Sequence, residues 1–122
     1  KNSAEHRVPL SGRAVAIIRY MEKIRSSDFV FPGGRNNKPL SENAFLALRN
    51  RMGRTDFVPH GFRSTFRDWV AEQTSYPESV AEQALGHKHR SAVESAYART
   101  DLLDKRRRLM DDWASYCARP AG

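Results

Sequence analysis

The sequence predicts a mainly α fold with a small β element towards its N-terminal side. Several segments repeat apolar residues at intervals of three and four, which is typical of amphipathic helices. Only two short stretches, both in the first third of the chain, favour an extended conformation. The chain has 122 residues, 39% of them hydrophobic, which is enough to bury one core. We therefore expect residues 1–122 to form a single helix-rich domain.

The first elements are an extended segment and a helix. Residues 6–10 predict an edge strand, because Pro9 has no N–H to donate to a sheet. Ser11 is the expected N-cap of a helix that runs to about residue 24. The apolar positions of this helix have helical spacing: they are Ala14, Ile17, Ile18 and Met21.

A second extended segment and a basic loop precede the next helix. Residues 29–31 predict a short buried strand or extended segment, and residues 32–39, with two Gly and two Asn, predict a loop. Arg35 and Lys38 make this loop cationic. Ser41 is the expected N-cap of a helix to about residue 52. Its inward-facing residues are expected to be Phe45, Leu46 and Leu48.

The third helix, from His60 or Gly61 to about Thr74, carries two distinct faces. Laid out at about 100° per residue, one arc holds the basic residues His60, Arg63 and Arg67. Cationic donors on a rigid helix suit the binding of a phosphate, and the planar fork of Arg can contact two of its oxygens. Taken alone, this pattern more often marks a solvated basic face. The other arc is the expected core stripe: Phe62, Phe66, Trp69 and Val70.

Three more helices are expected after residue 76. One begins at Pro77 and ends at Gly86, a short one covers residues 91–99, and the last runs from Asp101 to about Cys117. The basic run at residues 105–108 could contact DNA, although such runs more often form the solvated face of a helix. The opposite apolar stripe of the last helix consists of Leu102, Leu109, Met110, Trp113 and Tyr116.

The charge balance favours a polyanionic partner. Lys and Arg total 21 against 14 Asp and Glu, a formal net charge of +7, so nucleic acid and an ordinary basic surface are both open. The one cysteine, Cys117, allows no disulfide within the chain, which fits a reducing cytoplasm. No apolar run approaches the roughly 18 residues of a membrane-spanning helix.

A second candidate cluster lies late in the chain. His87 follows directly after Leu85-Gly86, and Tyr97 stands ten residues further on. Taken singly, His87 is more often a histidine stabilised by a helix terminus, and Tyr97 an ordinary surface or core tyrosine.

In combination, these motifs resemble those of a known family. Pro59-His60-Gly61-Phe62-Arg63, then Leu85-Gly86-His87, then Tyr97 is similar to the ordered signature of tyrosine recombinases, the phage-integrase family. The resemblance extends over the chain and is strongest to integrases of prophages and genomic islands. It implies site-specific DNA recombination, by strand cleavage and rejoining through a 3′-phosphotyrosine.

The resemblance also implies a role for each matching residue. Tyr97 resembles the nucleophile, and Arg63 the arginine that binds the scissile phosphate. His60 resembles the histidine that assists proton transfer, and His87 the one that hydrogen-bonds the same phosphate. Lys1 stands eight residues before Pro9, as does the family's lysine, the expected acid for the leaving 5′-oxygen.

No residue of this sequence matches the first catalytic arginine of the family, which lies upstream of that lysine. Lys1 is not a natural first residue. We therefore expect the chain to be most of a catalytic domain whose N-terminal part is missing, and to be inactive by itself. The residues expected to contact DNA around the active site are Arg35, Lys38, Arg67, Lys88 and Arg90.

The implied chemistry requires no metal or other cofactor. A tyrosine hydroxyl has a pKa of about 10 and is a weak nucleophile, so it needs help in losing its proton. The phosphorane transition state also needs its extra negative charge neutralised, and two arginines and two histidines around one phosphate would meet both needs. His87-Lys88-His89 offers no further ligand at metal-binding spacing. The expected partners are double-stranded attachment-site DNA and, in a full-length protein, further copies of it in a tetramer. The alternatives are a non-catalytic DNA-binding or regulatory remnant of the same fold and a type IB topoisomerase-like enzyme.

Overall fold

The computed structural model describes residues 5–87 and 100–121. Within those ranges there are five helices: α1 (Gly12–Lys23), α2 (Ala44–Arg51), α3 (Gly61–Gln73), α4 (Glu78–Ala84) and α5 (Leu103–Cys117). The only β structure in them is an antiparallel bridge between Pro32 and Pro39. The mainly α fold class with a small β element is therefore confirmed.

The chain forms two compact units. One consists of Lys1–Gly12 together with Phe66–Gly122, and the other of Arg13–Thr65. The first unit, which we call the core unit, contains α4, α5 and the C-terminal part of α3. The second, the N-terminal unit, contains α2 and nearly all of α1.

The core unit is held together by an aromatic cluster. Phe66, Trp69 and Val70 of α3 are buried, as the spacing of three and four residues predicts. The Trp69 ring lies 5.1 Å from that of Trp113 and 5.5 Å from that of Tyr116, both in α5. The helix α4 adds Val80 and Ala81, and α5 adds Leu109, which has no exposed surface. The predicted apolar stripe of the last helix is thus confirmed as part of the core.

The basic run of the last helix is not uniformly solvated, and the interpretation as a solvated face is wrong at one position. Arg106 is 1% exposed, whereas its neighbours Lys105, Arg107 and Arg108 face solvent. The guanidinium of Arg106 donates to the backbone carbonyls of Asp101 (2.7 Å) and Arg7 (2.6 Å). These bonds replace water around the buried cation, which would otherwise be costly.

The strand predicted at residues 6–10 is wrong. Among the described residues the segment is paired with no strand. Its Arg7 carbonyl accepts a hydrogen bond from Arg106 instead, and the Arg7 side chain binds Asp101 at 2.7 Å. Pro9 is nevertheless buried, so the segment packs into the core unit at this residue, whereas the other residues of 6–10 are exposed.

The N-terminal unit has a different character, since none of its residues is buried. Phe45 (59% exposed), Leu46 and Leu48 of α2 are exposed, so the prediction that they face inward is wrong. Phe62, predicted in the core stripe, is also exposed, with its ring 5.5 Å from that of Phe57. Within this unit no other element buries the apolar faces of the helices. Helical spacing shows which face is apolar, but not whether another element covers it.

Turns connect the helices of the N-terminal unit. Residues 29–31 form bends with exposed side chains, so of the two alternatives predicted there, a short buried strand or an extended segment, the buried strand is wrong. The loop that follows closes through Gly33 N–H to the Lys38 carbonyl at 2.8 Å. A Cβ on Gly33 would lie 2.2 Å from the Pro39 carbonyl oxygen, so only glycine fits there. Ser41 is not the N-cap of α2, because Asn43 takes that position.

The remaining helix predictions are close to the structure. Helices α1, α3, α4 and α5 lie within a few residues of their predicted bounds. The helix predicted at residues 91–99 lies outside the described residues. Among the described helices, none is both long and apolar enough to span a membrane.

Candidate active site

The first turn of α3 presents two of the predicted catalytic residues. Successive turn bonds join Gly61 N–H to the Val58 carbonyl (2.9 Å) and Arg63 N–H to the His60 carbonyl (3.1 Å). These bonds begin the helix at Gly61 and place His60 just before it. His60 is exposed and Arg63 is half-buried. Both residues therefore stand at a helix N-terminus, where the helix dipole favours an anion.

Arg67 lies one turn further along α3, where it is paired with carboxylates. Its guanidinium contacts Glu78 and, at 2.9 Å, Oε1 of Glu82, both from α4. The Arg67 side chain is 36% exposed, so the contact sits at the edge of the core unit. The predicted DNA-binding arginine thus also joins α3 to α4.

His87 is positioned by the way α4 ends. Gly86 has φ of +72°, a left-handed conformation that glycine adopts readily. Gly86 N–H bonds the Gln83 carbonyl at 3.1 Å, and His87 N–H bonds the Glu82 carbonyl at 3.0 Å. These two bonds form a Schellman motif, which satisfies carbonyls at the helix C-terminus. The expected helix end at Gly86 is confirmed in this form, with the last helical residue at Ala84.

The side chain of His87 also contacts Glu82, whose backbone carbonyl accepts the His87 N–H. Its Nδ1 lies 2.6 Å from Oε2 of Glu82. Because an ionised carboxylate only accepts hydrogen bonds, Nδ1 is the donor in this contact. One glutamate therefore holds both the backbone N–H and the ring of His87, while its other carboxylate oxygen contacts Arg67.

Glu82 is not among the residues that the sequence motifs identify. A signal was available, because Glu78 and Glu82 are spaced by four residues and share a face of α4. An acidic pair on one helix is a natural partner for the basic face of another. Which basic residue it meets depends on the packing of α3 against α4.

The other predicted site residues are divided between a loop and the undescribed part of the chain. Arg35 and Lys38 lie on one tight turn, in which Lys38 N–H bonds the Arg35 carbonyl at 3.3 Å, and both are exposed. The remaining four lie outside the described residues, so their roles stay predictions: Lys1, Lys88, Arg90 and Tyr97.

Potential metal ligands are scattered over the described part of the chain. Across residues 5–87 and 100–121, no cluster of three or more His, Cys, Asp or Glu side chains has an arrangement that could hold a metal ion.

Comparison with known proteins identifies the class. The model of the phage integrase family matches residues 1–103, which is most of the chain. The chain therefore belongs to the phage integrase family, and the resemblance to tyrosine recombinases is confirmed.

Individual relatives agree with this assignment. The chain is 34% identical to the integrase of Enterobacteria phage P4 over 95% of its length, and 35% identical to prophage integrase IntA of Escherichia coli (strain K12) over 93%. It is 33% identical to the integrase of Shigella phage Sf6 over 91%. The matches span only 28%, 28% and 30% of these relatives, respectively. No solved structure matches the chain.

Proposed function

We propose that this chain carries the nucleophile and most of the phosphate-binding residues of a site-specific DNA recombinase. The reaction is the integration or excision of a prophage or genomic island. The observation that carries this proposal is the family match over residues 1–103, a range that includes His60, Arg63, His87 and Tyr97 in their motif order. The relatives are themselves named integrases of phages and prophages.

The proposed reaction is a transesterification. The hydroxyl oxygen of Tyr97 attacks the scissile phosphorus and the bond from phosphorus to the 5′-oxygen breaks, leaving a 3′-phosphotyrosine. Lys1 donates a proton to the departing 5′-oxygen. A 5′-hydroxyl of a second strand then reverses the step. The number of phosphoester bonds is unchanged, so the cycle needs no ATP and no other cofactor.

The cationic residues neutralise the negative charge that develops on the five-coordinate phosphorus (the phosphorane) in the transition state. Arg63 and His60, at the first turn of α3, bind the non-bridging oxygens and assist the transfer of the tyrosine proton. His87 donates to the same phosphate. Such preorganised donors act mainly in the transition state, where the extra negative charge develops.

Double-stranded DNA is the proposed substrate. The net charge of +7 supports this, since cationic side chains replace the counterions around phosphates. The residues proposed to contact DNA around the reacting phosphate are Arg35, Lys38, Arg67, Lys88 and Arg90. We place the full-length protein in the cytoplasm as a tetramer on paired sites. The 122 residues alone are expected to bind DNA weakly and to show no turnover, because none of them matches the family's first catalytic arginine.

The experiment uses the full-length protein that carries this chain and an attachment-site duplex with a nick near the cleavage position. After cleavage, the short piece of DNA between the cleavage position and the nick carries the free 5′-hydroxyl and diffuses away. Rejoining is then prevented, so the covalent adduct accumulates and is seen on a denaturing gel. Tyr97→Phe should abolish the adduct. Tyr20→Phe is the matched control, because Tyr20 is exposed on α1 and should leave adduct formation unchanged.

Two outcomes would contradict the proposal. An adduct that survives Tyr97→Phe would assign the nucleophile elsewhere. Specific DNA binding by the unaltered protein with no adduct would favour a non-catalytic, regulatory role.

A further inference from the structure

Glu82 has contacts that neither the motifs nor the proposed reaction account for. Its two carboxylate oxygens are divided between two basic side chains, Oε1 to Arg67 at 2.9 Å and Oε2 to His87 Nδ1 at 2.6 Å. Its backbone carbonyl also accepts the His87 N–H at 3.0 Å. One residue thus contacts the predicted phosphate-binding histidine at two separate points.

We propose that Glu82 is a positioning residue that sets the orientation and the tautomer of His87 for contact with the scissile phosphate. The inference rests on the proposed function in so far as His87 binds that phosphate. Its structural part, a carboxylate that fixes the Nδ1 proton, stands on the described contacts alone.

The carboxylate of Glu82 fixes the orientation of the His87 ring. The backbone bond sets where the His87 Cα lies, but the ring could still rotate about two side-chain torsions. The contact of Nδ1 with Glu82 removes that freedom. It directs Nε2, the nitrogen on the other side of the ring, away from Glu82. Nε2 is therefore the atom that we assign to the phosphate.

The same contact fixes the position of a proton. A carboxylate cannot donate, so the proton of this hydrogen bond resides on Nδ1. A neutral imidazole without such a partner prefers to carry its proton on Nε2. Glu82 thus keeps Nδ1 protonated in both forms of the ring. It selects the less common tautomer of the neutral imidazole, and in the doubly protonated ring it leaves the Nε2 proton to be donated to the phosphate. A carboxylate that orients a catalytic histidine through Nδ1 also occurs in the Ser-His-Asp triad.

Arg67 contacts the other oxygen of the Glu82 carboxylate and so helps to hold it in place. The Glu82 side chain is 21% exposed, and Arg67 holds one oxygen from α3. Glu78 contacts the same guanidinium but has no described contact with His87, and its side chain is 71% exposed. The pairing of Arg67 with the half-buried Glu82 thus helps to fix the carboxylate that contacts His87.

Glu78 therefore provides a matched control. Glu82→Ala and Glu78→Ala each remove one carboxylate from α4 and one partner from Arg67, but only the first releases the His87 ring. The backbone bond from His87 to residue 82 persists in both variants. Should Glu82→Ala fail to fold, Glu82→Gln keeps the side-chain length and replaces the carboxylate with a weaker acceptor.

The first measurement is nitrogen NMR of the full-length protein with labelled histidine, in which the His87 signals are assigned by their loss in His87→Ala. We expect Nδ1 to be the protonated nitrogen of neutral His87 in the unaltered protein and in Glu78→Ala. In Glu82→Ala the proton should move largely to Nε2. This readout needs no DNA and does not depend on the proposed reaction.

The second measurement is the single-turnover rate of adduct formation on the nicked duplex at saturating DNA. We expect Glu82→Ala to lower this rate at least about tenfold, a part of the ~10²–10³-fold that is lost when one preorganised hydrogen-bond donor to the transition state is removed. The Kd for DNA should stay within about twofold, and Glu78→Ala should match the unaltered protein. A rate effect without a binding effect is what loss of orientation predicts.

The outcomes separate this inference from the proposed function. Neutral His87 with its proton on Nε2 in the unaltered protein, or equal rates in Glu82→Ala and Glu78→Ala, would overturn the positioning role and leave the recombinase proposal intact. The absence of any Tyr97-dependent adduct would overturn the recombinase proposal, and with it the catalytic meaning of the Glu82 contact.

Discussion

Nη1 of Arg106 donates a 2.6 Å hydrogen bond to the backbone carbonyl of Arg7, 99 residues earlier in the chain. The same guanidinium bonds the Asp101 carbonyl and contacts the Asp101 carboxylate at 3.2 Å. Arg7 closes the group by pairing with that carboxylate at 2.7 Å. A single buried cation thus ties the N-terminal segment and the residues preceding α5 to α5 itself.

Replacing this cation should destabilise the core unit. Arg106→Met keeps much of the apolar length of the side chain but leaves the carbonyls of Arg7 and Asp101 without their donor. We expect the free energy of unfolding to fall by roughly 2–4 kcal/mol, since each buried polar group left unpaired costs about 1–3 kcal/mol. Chemical denaturation measures the change. Arg107→Met, on the exposed face of α5, should change it by less than about 0.5 kcal/mol. Equal effects of the two substitutions would refute the structural role of Arg106.

Tyr76 should titrate well above the pH at which tyrosines normally ionise. Its hydroxyl donates a 2.6 Å bond to the Asp112 carboxylate, and this bond, together with partial burial and the negative charge, raises the pKa of Tyr76 to about 12. The folded-state pKa is above the unfolded value of 10.0, so the contribution to stability is complete below pH 10 and is lost as the pH rises through about 12.

Ultraviolet absorbance of tyrosinate during an alkaline titration measures this. Tyr76→Phe should remove the highest-pH step, and Asp112→Ala should move that step towards the ordinary range of tyrosine. A titration unchanged by Asp112→Ala would contradict the assigned cause.

The aromatic cluster of the core unit should dominate its stability. Trp69 is 6% exposed and contacts the rings of Phe66, Trp113 and Tyr116. Trp69→Ala should therefore lower the free energy of unfolding by about 3–5 kcal/mol, the range for deletion of a buried aromatic side chain. Phe45→Ala removes an aromatic ring that is 59% exposed, and should cost less than about 1 kcal/mol. Denaturation followed by circular dichroism compares the two. A large loss on Phe45→Ala would mean that the α2 face is covered in solution.

The contrast between Trp69 and Phe45 shows how far periodicity predicts the fold. Both residues lie on apolar stripes with helical spacing, which predicts both inside, and only Trp69 is buried. Periodicity identifies the face of a helix that would gain from burial, but not whether another element packs there. For Arg106 the error is the opposite one: a charged residue is predicted to be exposed, but this guanidinium is buried because backbone carbonyls accept its hydrogen bonds. Those carbonyls belong to residues 7 and 101, which no local pattern connects with α5.

The candidate site follows the same division. His60, Arg63 and His87 are predicted from a spacing that the family motifs make specific, and the described residues of the set lie at helix ends. Glu82 escapes such a prediction because its importance arises from contacts with α3 and with the residue after a helix cap. The motif includes Gly86 and so predicts the helix end, but the contact with α3 is set by tertiary packing, which the motif does not encode.

Gly86 offers a test of how the helix end supports His87. Its φ of +72° lets Gly86 N–H and His87 N–H reach carbonyls of the last turn of α4. Gly86→Ala should cost about 1–2 kcal/mol of unfolding free energy, because a Cβ disfavours left-handed backbone. The added methyl would meet only ordinary contact with the His6 ring at 3.6 Å, so the cost comes from conformation and not from a clash. Gly86→Asn should cost less, because asparagine tolerates this conformation better.

Gly34→Ala is the control for this substitution. Gly34 lacks a positive φ, and a Cβ added to it would meet no atom within 4 Å, so the change should be close to neutral. Thermal and chemical unfolding of Gly86→Ala, Gly86→Asn and Gly34→Ala measure the order of their stabilities. Equal stability of Gly86→Ala and Gly34→Ala would show that the helix end does not depend on glycine, and His87 in the same samples would then be expected to keep its proton on Nδ1, bonded to Glu82.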